Sequence, residues 1–263
     1  MKIEPLSNNR FFLYEHLTRA KRFHCSVSGV YQYDVTDLLV ELNRQKAEGR
    51  AISFVSLLVK ATALVLERHP RMNRHLFHGL FRKFEVDFGT ISCTLIVHRF
   101  GPDGEDILFP VIIDRPHERT MDDIYDEIRH FKKAPLNEIP QIGAFERIKK
   151  MPRFMIRWFS YKARSDPRFY MKYFGTYGLS SMLIEGWGPQ AGHGVASVGS
   201  GFQPGVMKDT PVVVDGEIVI RKMLTLGILV DHYLLDGADA ARAMMEMRGL
   251  LETNVLLESG DGP

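Results

Sequence analysis

The sequence predicts an α/β domain, and three observations carry that expectation. A run of apolar or small residues, Met223 to Val230, reads as a buried strand and leads into a helical pattern rich in Ala, Met and Leu from Ala238 to about Glu252. Phe54 to about Arg68 is apolar on most sides and reads as a helix inside the core. Cys25–Val35 alternates loosely, and Val86–Arg99 alternates and then turns apolar, as strands do.

In chain order, Arg10 to about Phe23 reads as a helix with Phe11, Leu13, Tyr14 and Leu17 among basic residues. After the strand at 25–35, Asp34 or Thr36 caps a helix from Asp37 to about Glu48, which Gly49 stops. Ser53 is a suitable N-cap for the 54–68 helix, and Pro70 ends it; Lys60 within it either snorkels or is paired. Strands are expected at 79–84, 86–99 and 107–113, with a turn cluster at 100–104. Thr120 or Asp114 opens an acidic helix ending near Lys133, with acids early and bases late as the helix dipole favours. A strand is expected at 175–182 and another from 195 to 200. The Met-rich face of the last helix (Met244, Met245, Met247) reads as core or subunit contact, and the 258–263 tail as frayed.

Composition sets limits. The chain has 263 residues, 45% of them hydrophobic, enough for one large domain or two small ones. A net charge of +2 provides no global field for nucleic acid. Cys25 and Cys93 form neither a disulfide framework nor a metal-ligand spacing, so no metal is expected, and they fit a reducing, cytoplasmic compartment. The start, MKIEPLSNNR, lacks the apolar core of a signal peptide, and no run is long and apolar enough to span a membrane.

The chemistry centres on Asp231-His232-Tyr233-Leu234-Leu235-Asp236-Gly237, where the apolar strand ends and the chain turns into the last helix. A neutral imidazole with one free nitrogen takes a proton from a thiol, hydroxyl or amine, provided its other nitrogen or its packing fixes the ring. Asp236 either does this directly or holds the loop through an ion pair elsewhere. Taken alone, the segment also fits a structural histidine beside a helix-capping aspartate.

HxxxDG at the end of an apolar strand resembles the signature of the chloramphenicol acetyltransferase-like superfamily. The wider stretch, PVVVDGEIVIR at 211–221 followed by DHYLLDGADAARAM, resembles the C-terminus of the 2-oxo acid dehydrogenase acyltransferase catalytic domain. In that branch a hairpin built on an Asp-Gly turn feeds the catalytic strand. Asp231 favours this branch over the two that carry a second histidine there; Tyr233 departs from it, standing where the branch usually has Arg. Further similarity lies in DVTDL at 34–38, in SFVSLLVKATALVLERHPRMN at 53–73, in ILFPVII at 107–113 and in GTYGLSSM at 175–182.

The resemblance implies a chloramphenicol acetyltransferase-like two-layer sandwich, a mixed sheet with helices on one side, spanning 1–263 as a single acyltransferase catalytic domain. It implies direct acyl transfer: His232 as general base, Ser180 as the hydroxyl that stabilises the oxyanion, Asp236 fixing the loop, with Gly237 and Asp231 structural at the site. Ser181 takes the place of Ser180 if the register slips by one. It also implies a homotrimer or higher assembly, with His232 from one subunit and Ser180 from the next. No cofactor is expected to be bound permanently; the expected substrates are a coenzyme A thioester and an unknown thiol, hydroxyl or amine acceptor. The chain shows neither lipoyl nor subunit-binding domains, so a stand-alone enzyme is expected. Two alternatives are a non-catalytic binding or scaffold homologue and a carrier-protein-dependent condensation-type enzyme.

Two stretches depart from the family. Between Arg147 and Lys172, within a basic aromatic insert at 134–174, nine Lys or Arg stand against one acid, Asp166, with six aromatic residues interleaved. Three readings stand: a helical insert packed on the core, a wall of the acceptor pocket or coenzyme A phosphate site, or a membrane-surface segment. The glycine-rich loop 186–194 replaces a proline-rich one; Trp187 and His193 are its candidate substrate-binding residues, and His24 is a further candidate facing the site.

Overall fold

A long hairpin forms the backbone of the sheet. In the computed structural model, which describes residues 2, 4–100, 106–135, 138–180 and 198–258, β7 (Ser200–Val214) and β8 (Glu217–Asp231) run antiparallel from Ser200↔Val230 to Val214↔Glu217. Asp215 and Gly216 close them, with φ of 51° and 86°. Positive φ at both central residues matches the twist of the strands, which is why Asp-Gly serves here.

Around the hairpin the remaining strands are β1 (Ser26–Asp34), β4 (Ser92–Phe100), β5 (Asp106–Asp114) and β6 (Tyr177–Leu179). The order is β1-β8-β7-β6-β4-β5, with β6 parallel to both neighbours and the other pairings antiparallel. The fold is therefore the mixed α/β sandwich expected. Proline positions obey the ladder: Pro110 lies in edge strand β5, and Pro204 begins the bulge that runs to Met207 in β7. A separate hairpin, β2 (Arg74–His78) and β3 (Lys83–Asp87), completes the strands described.

One sheet face carries the core. Leu224, Leu226, Ile228 and Val230 alternate on β8 and join Phe202, Tyr177, Leu179, Cys93, Leu95 and Val111 in a single cluster. That cluster is covered by α2 (Thr36–Ala47), α3 (Phe54–Arg68), α4 (Met121–Lys133) and α8 (Gly237–Leu251). The core helix α3 begins with a capping box in which Ser53 and Ser56 satisfy each other's backbone amides. Buried Lys60 is paired: Nζ donates to the carbonyls of His117 (2.6 Å) and Arg119 (2.8 Å), and burial lowers its pKa.

The opposite face is approached by α1 (Asn8–Phe23) and the helices of the expected insert, α5 (Pro140–Lys150), α6 (Arg153–Ser165) and α7 (Pro167–Phe174). Ile156 and Phe159 pack on Phe11 and Phe12 of α1, while Ala163 and Tyr170 join Phe77 in another small cluster. Phe154 and Trp158 stay exposed on the outer side of α6. A last short helix, α9 (Val255–Glu258), follows α8, and the expected tail beyond it lies outside the described residues.

Three boundaries differ from the sequence reading. The chain is already extended at Arg74, and Gly79–Arg82, closed by Gly79 N–H to the Arg82 carbonyl at 2.9 Å, is a turn and not the start of a strand. The expected 86–99 strand is interrupted: Gly89 takes a φ of 62° and donates to Asp87 Oδ1, so β4 starts at Ser92. The expected 175–182 strand shortens to Tyr177–Leu179 within the described residues, because Gly175 (φ 60°) ends α7; a Cβ there would lie 2.7 Å from Thr94 Oγ1. The methionine face also splits: Met244 and Met247 are buried, while Met245, a helical step aside, is exposed.

Gly199 lies where β7 meets β2: a Cβ on it would fall 1.8 Å from the Arg74 carbonyl oxygen. Gly199→Ala is expected to lower unfolding stability by about 3 kcal/mol, the upper end of overpacking costs, read as a shift in the urea midpoint.

Candidate active site at the end of the central hairpin

His232 directly follows β8, so its position is set by the ladder. Ser26 pairs with Asp231, and the next backbone contact beyond the sheet is His232 N–H to the Cys25 carbonyl at 2.7 Å. The ring is exposed, and its Nδ1 lies 2.7 Å from the Leu235 carbonyl oxygen. A carbonyl only accepts, so Nδ1 carries the hydrogen and Nε2 is left with the lone pair. That is the tautomer a general base needs, fixed by the turn's own backbone.

Asp231 is wholly buried, and each of its oxygens has partners. Oδ2 is 2.6 Å from Nδ1 of His24, itself nearly buried; Oδ1 accepts from the amides of Cys25 (3.0 Å) and Tyr233 (3.2 Å). Burial by itself raises the carboxyl pKa, but the His24 bond, the His24 charge and the two amides outweigh it, and the group is held below the ordinary aspartate value. This carboxylate ties the start of β1 to both sides of His232. The sequence reading had His24 as a candidate that faces the site; the structure puts it behind the site, on Asp231.

Asp236 takes no part in orienting the ring. It is the exposed N-cap residue of α8 without a side-chain capping bond, and no ion pair of its carboxylate is seen among the described residues. The expectation that it fixes His232 or the loop through its side chain is thus not met within one chain. Its backbone carbonyl accepts the first helical bonds, from Asp239 and Ala240. Arg71 supplies the tether: it donates to the Leu234 carbonyl (3.3 Å) and pairs with Asp239 (2.8 Å). Neither Arg71 nor its role was signalled by sequence, because the contact joins positions 163 residues apart. Gly237 begins α8 in open space, where an added Cβ meets nothing.

Ser180 follows β6 and donates its backbone N–H to the Phe202 carbonyl at 3.0 Å. It borders an apolar cleft of about 400 Å³ between α1 and the open sheet face, with Phe12, Thr94, Ile96, Phe202 and Leu229 among the other walls. The register fixes its distance from His232. Leu179 pairs with Phe202, so Ser180 is level with Gln203, which pairs with Gly227, five residues before His232. Five residues at about 3.3 Å each and two strand spacings of about 4.8 Å separate the two by almost 20 Å in one chain. Ser181, Trp187 and His193 lie outside the described residues, as does 195–197 of the expected strand. Among the described residues no group of three or more His, Cys, Asp or Glu is placed to hold a metal, and no helix is long and apolar enough to cross a membrane.

Fold and site together place the chain among acyltransferase catalytic domains. Its fold is that of the probable dihydrolipoamide acetyltransferase of Listeria monocytogenes 4b F2365 (TM-score 0.68, 19% identity, 96% of this chain and 94% of that one). It is also that of the cubic core of the pyruvate dehydrogenase multienzyme complex (0.68, 18%, 98% and 94%) and of chloramphenicol acetyltransferase (0.50, 14%, 95% and 98%). The family model described as 2-oxoacid dehydrogenases acyltransferase (catalytic domain) matches residues 1–90 and 202–258, more than half the chain, and the protein belongs to that family. The match includes His24, Asp231, His232 and Asp236 but not Ser180.

Curated relatives include the lipoamide acyltransferase component of the branched-chain alpha-keto acid dehydrogenase complex of Pseudomonas putida, 52% identical over 46 residues, 18% of this chain and 11% of the relative. The dihydrolipoyllysine-residue acetyltransferase component of the pyruvate dehydrogenase complex of Mycoplasma capricolum is 23% identical over 258 residues, 96% of this chain and 51% of the relative. The chain thus spans at most about half the length of these two. Their names correct one expectation: a coenzyme A thioester as substrate with no lipoyl group does not describe proteins named for lipoamide and dihydrolipoyllysine.

The Asp231 carboxyl has a lowered folded-state pKa, so its contribution to stability is present above the unfolded value and lost as pH falls through the folded one. Asp231→Asn is expected to cost about 1.5–3 kcal/mol near neutral pH, the range for hydrogen bonds to a charged group. Denaturant titrations from pH 7 downward should show the gap between wild type and variant closing below about pH 4, near the ordinary aspartate pKa.

Proposed function

We propose that the chain transfers an acyl group between thiols, taking it from an S-acyl dihydrolipoyl group on a protein lysine and passing it to coenzyme A. The observation that carries this reading is the 2.7 Å bond from His232 Nδ1 to the Leu235 carbonyl, which in the neutral ring puts the lone pair on Nε2 of an exposed residue at the end of β8. In the proposed sequence Nε2 takes the proton of the incoming thiol. The thiolate attacks the thioester carbonyl, and the electron pair of the C=O bond moves onto oxygen. The Ser180 hydroxyl donates to that oxyanion. Collapse re-forms the carbonyl, breaks the original C–S bond, and the departing sulfur takes the proton back from the imidazolium.

General-base help of roughly 10²–10⁴ and one oxyanion donor of roughly 10²–10³ lower the barrier by about 5–10 kcal/mol together. Positioning between subunits supplies the remainder. The almost 20 Å between Ser180 and His232 in one chain supports a closed assembly in which each site takes His232 from one copy and Ser180 from the next. A trimer, the assembly that the resemblance to chloramphenicol acetyltransferase-like proteins implies, provides that arrangement.

Two measurements test this. His232→Ala should reduce acyl transfer from S-acetyl dihydrolipoamide to coenzyme A by about 10²–10⁴-fold, and Ser180→Ala by about 10²–10³-fold, with folding unchanged by circular dichroism. Co-refolding the two inactive variants should restore part of the activity, because mixed assemblies regain sites with both residues intact. Turnover in His232→Ala equal to wild type sinks the acid–base role. Two inactive variants that fail to complement after mixing is verified sink the shared site.

A further inference from the structure

Between α1 and α6 lies a recess that the acyl-transfer reading does not use. His16, Arg19, His24, His75, Ser160 and Arg164 line it, with Tyr170 and Phe23 beside them. It shares Arg19, Phe23 and Arg164 with an adjoining vestibule of about 350 Å³, to which Arg22 and Glu15 also belong.

The recess holds buried polar atoms that have no partner among the described residues. Ser160 is 3% exposed and its Oγ has no partner; His75 is 2% exposed and its Nδ1 has none. Nε of Arg19 and Nε of Arg164 are buried without an acceptor as well. Folded proteins seldom leave such groups unanswered, and four on residues that line one recess call for a ligand.

The charge has the same sign. Three guanidiniums, Arg19, Arg22 and Arg164, face one carboxylate, Glu15, which is bonded to Arg19 at 3.3 Å and shared with Arg157 at 3.2 Å. Arg164 has no ion pair among the described residues; it lies over the rings of Phe23 (4.6 Å) and Tyr161 (5.1 Å). Burial, then the nearby Arg19, lowers its pKa despite the Tyr161 ring, and Arg22 adds to the effect. Asp231 stands behind His24 and is already answered by it and by two amides. Burial also holds His16 neutral down to about 4, with His24 adding to the effect, and holds His75 neutral, so neither ring adds charge near pH 7. Arg22 and Arg164 thus have no ion pair among the described residues, and they stand beside neutral polar groups.

We infer that the recess, about 30 Å³ and room for one oxygen, and its vestibule together bind a phosphate group, one anionic oxygen seated between Ser160 and His75 in its Nδ1–H tautomer and the others in the vestibule between Arg19, Arg22 and Arg164. A dianion matches the two unanswered charges. Planar guanidiniums bind phosphate oxygens in pairs, which a spherical halide does not exploit. The bound group touches the wall formed by His24, whose Nδ1 holds Asp231, the residue before His232. The site stands whether or not the chain transfers acyl groups.

Isothermal titration of the full chain with inorganic phosphate, at constant ionic strength in chloride buffer, tests it. Saturable binding is expected, weakened about tenfold or more in Arg164→Gln, as loss of a charge-assisted pair implies. Ser160→Ala should also weaken it, and Arg164→Lys should retain part of it; thermal melts verify that each variant is folded. Adenosine monophosphate in place of phosphate separates the sources: tighter binding identifies a phosphate ester, weaker binding free phosphate. No saturable heat from either probe, or equal affinity in wild type and folded Arg164→Gln, overturns the site.

Discussion

The buried carboxylate of Asp231 is the constraint on which the rest of the site depends. It sits at the last residue of the central strand and holds three groups at once: the ring of His24 and the amides of Cys25 and Tyr233. A charge with no solvent exposure is tolerated only when its lone pairs are filled, and filling them here fixes both chain segments that flank His232. The order of the sheet makes this possible. Because β1 pairs with β8 in a register that sets Ser26 against Asp231, the residues just before β1 reach the end of β8 without a loop of their own.

That arrangement divides labour between side chains and backbone. His232 takes its orientation from the Leu235 carbonyl and from its own amide on Cys25, so the ring depends on the turn and not on a carboxylate partner. Arg71 holds the turn from the other side, reaching from the short 3₁₀ turn Pro70–Asn73 that follows α3 to the Leu234 carbonyl and to Asp239 in α8. Hence the loop is braced from the sheet and from the helical layer together. Asp236, with its carboxylate in solvent, contributes to α8 through its backbone alone in the single chain.

The two faces of the sheet serve different ends. Alternation on β4, β6, β7 and β8 sends one set of side chains into the main core and leaves the other set, with Gly178, Gly201 and Ser180, lining an apolar cleft under α1. Small residues on that face keep the cleft open. The helices α6 and α7 then extend α1's side of the molecule, burying aromatics against it and leaving arginines around a recess that ends on His24. The charged surface of these helices is thus connected to the site by packing, through the histidine that Asp231 holds.

The sequence by itself determined the elements whose signals are local. The apolar run before Asp231, the Asp215–Gly216 turn, the Ser53 cap and the Pro70 stop each act within a few residues, and the structure has them where they were expected. The choice of His232 also came from sequence, because a strand, a turn and a helix meet at one histidine. What tertiary structure decided are contacts between distant positions. His24 and Asp231 are 207 residues apart, and Arg71 and Leu234 are 163 apart, so no local pattern encodes either pair. The break of the expected 86–99 strand at Gly89 and the short β6 were missed because Gly89 and Gly175 take positive φ, which a glycine permits but does not announce; Gly175 does so packed against Thr94, Gly89 in open space. The separation of Ser180 from His232 within one chain was implied by the family resemblance alone, and no local pattern carries it. It follows from strand order and register, which arise only when long-range pairs close.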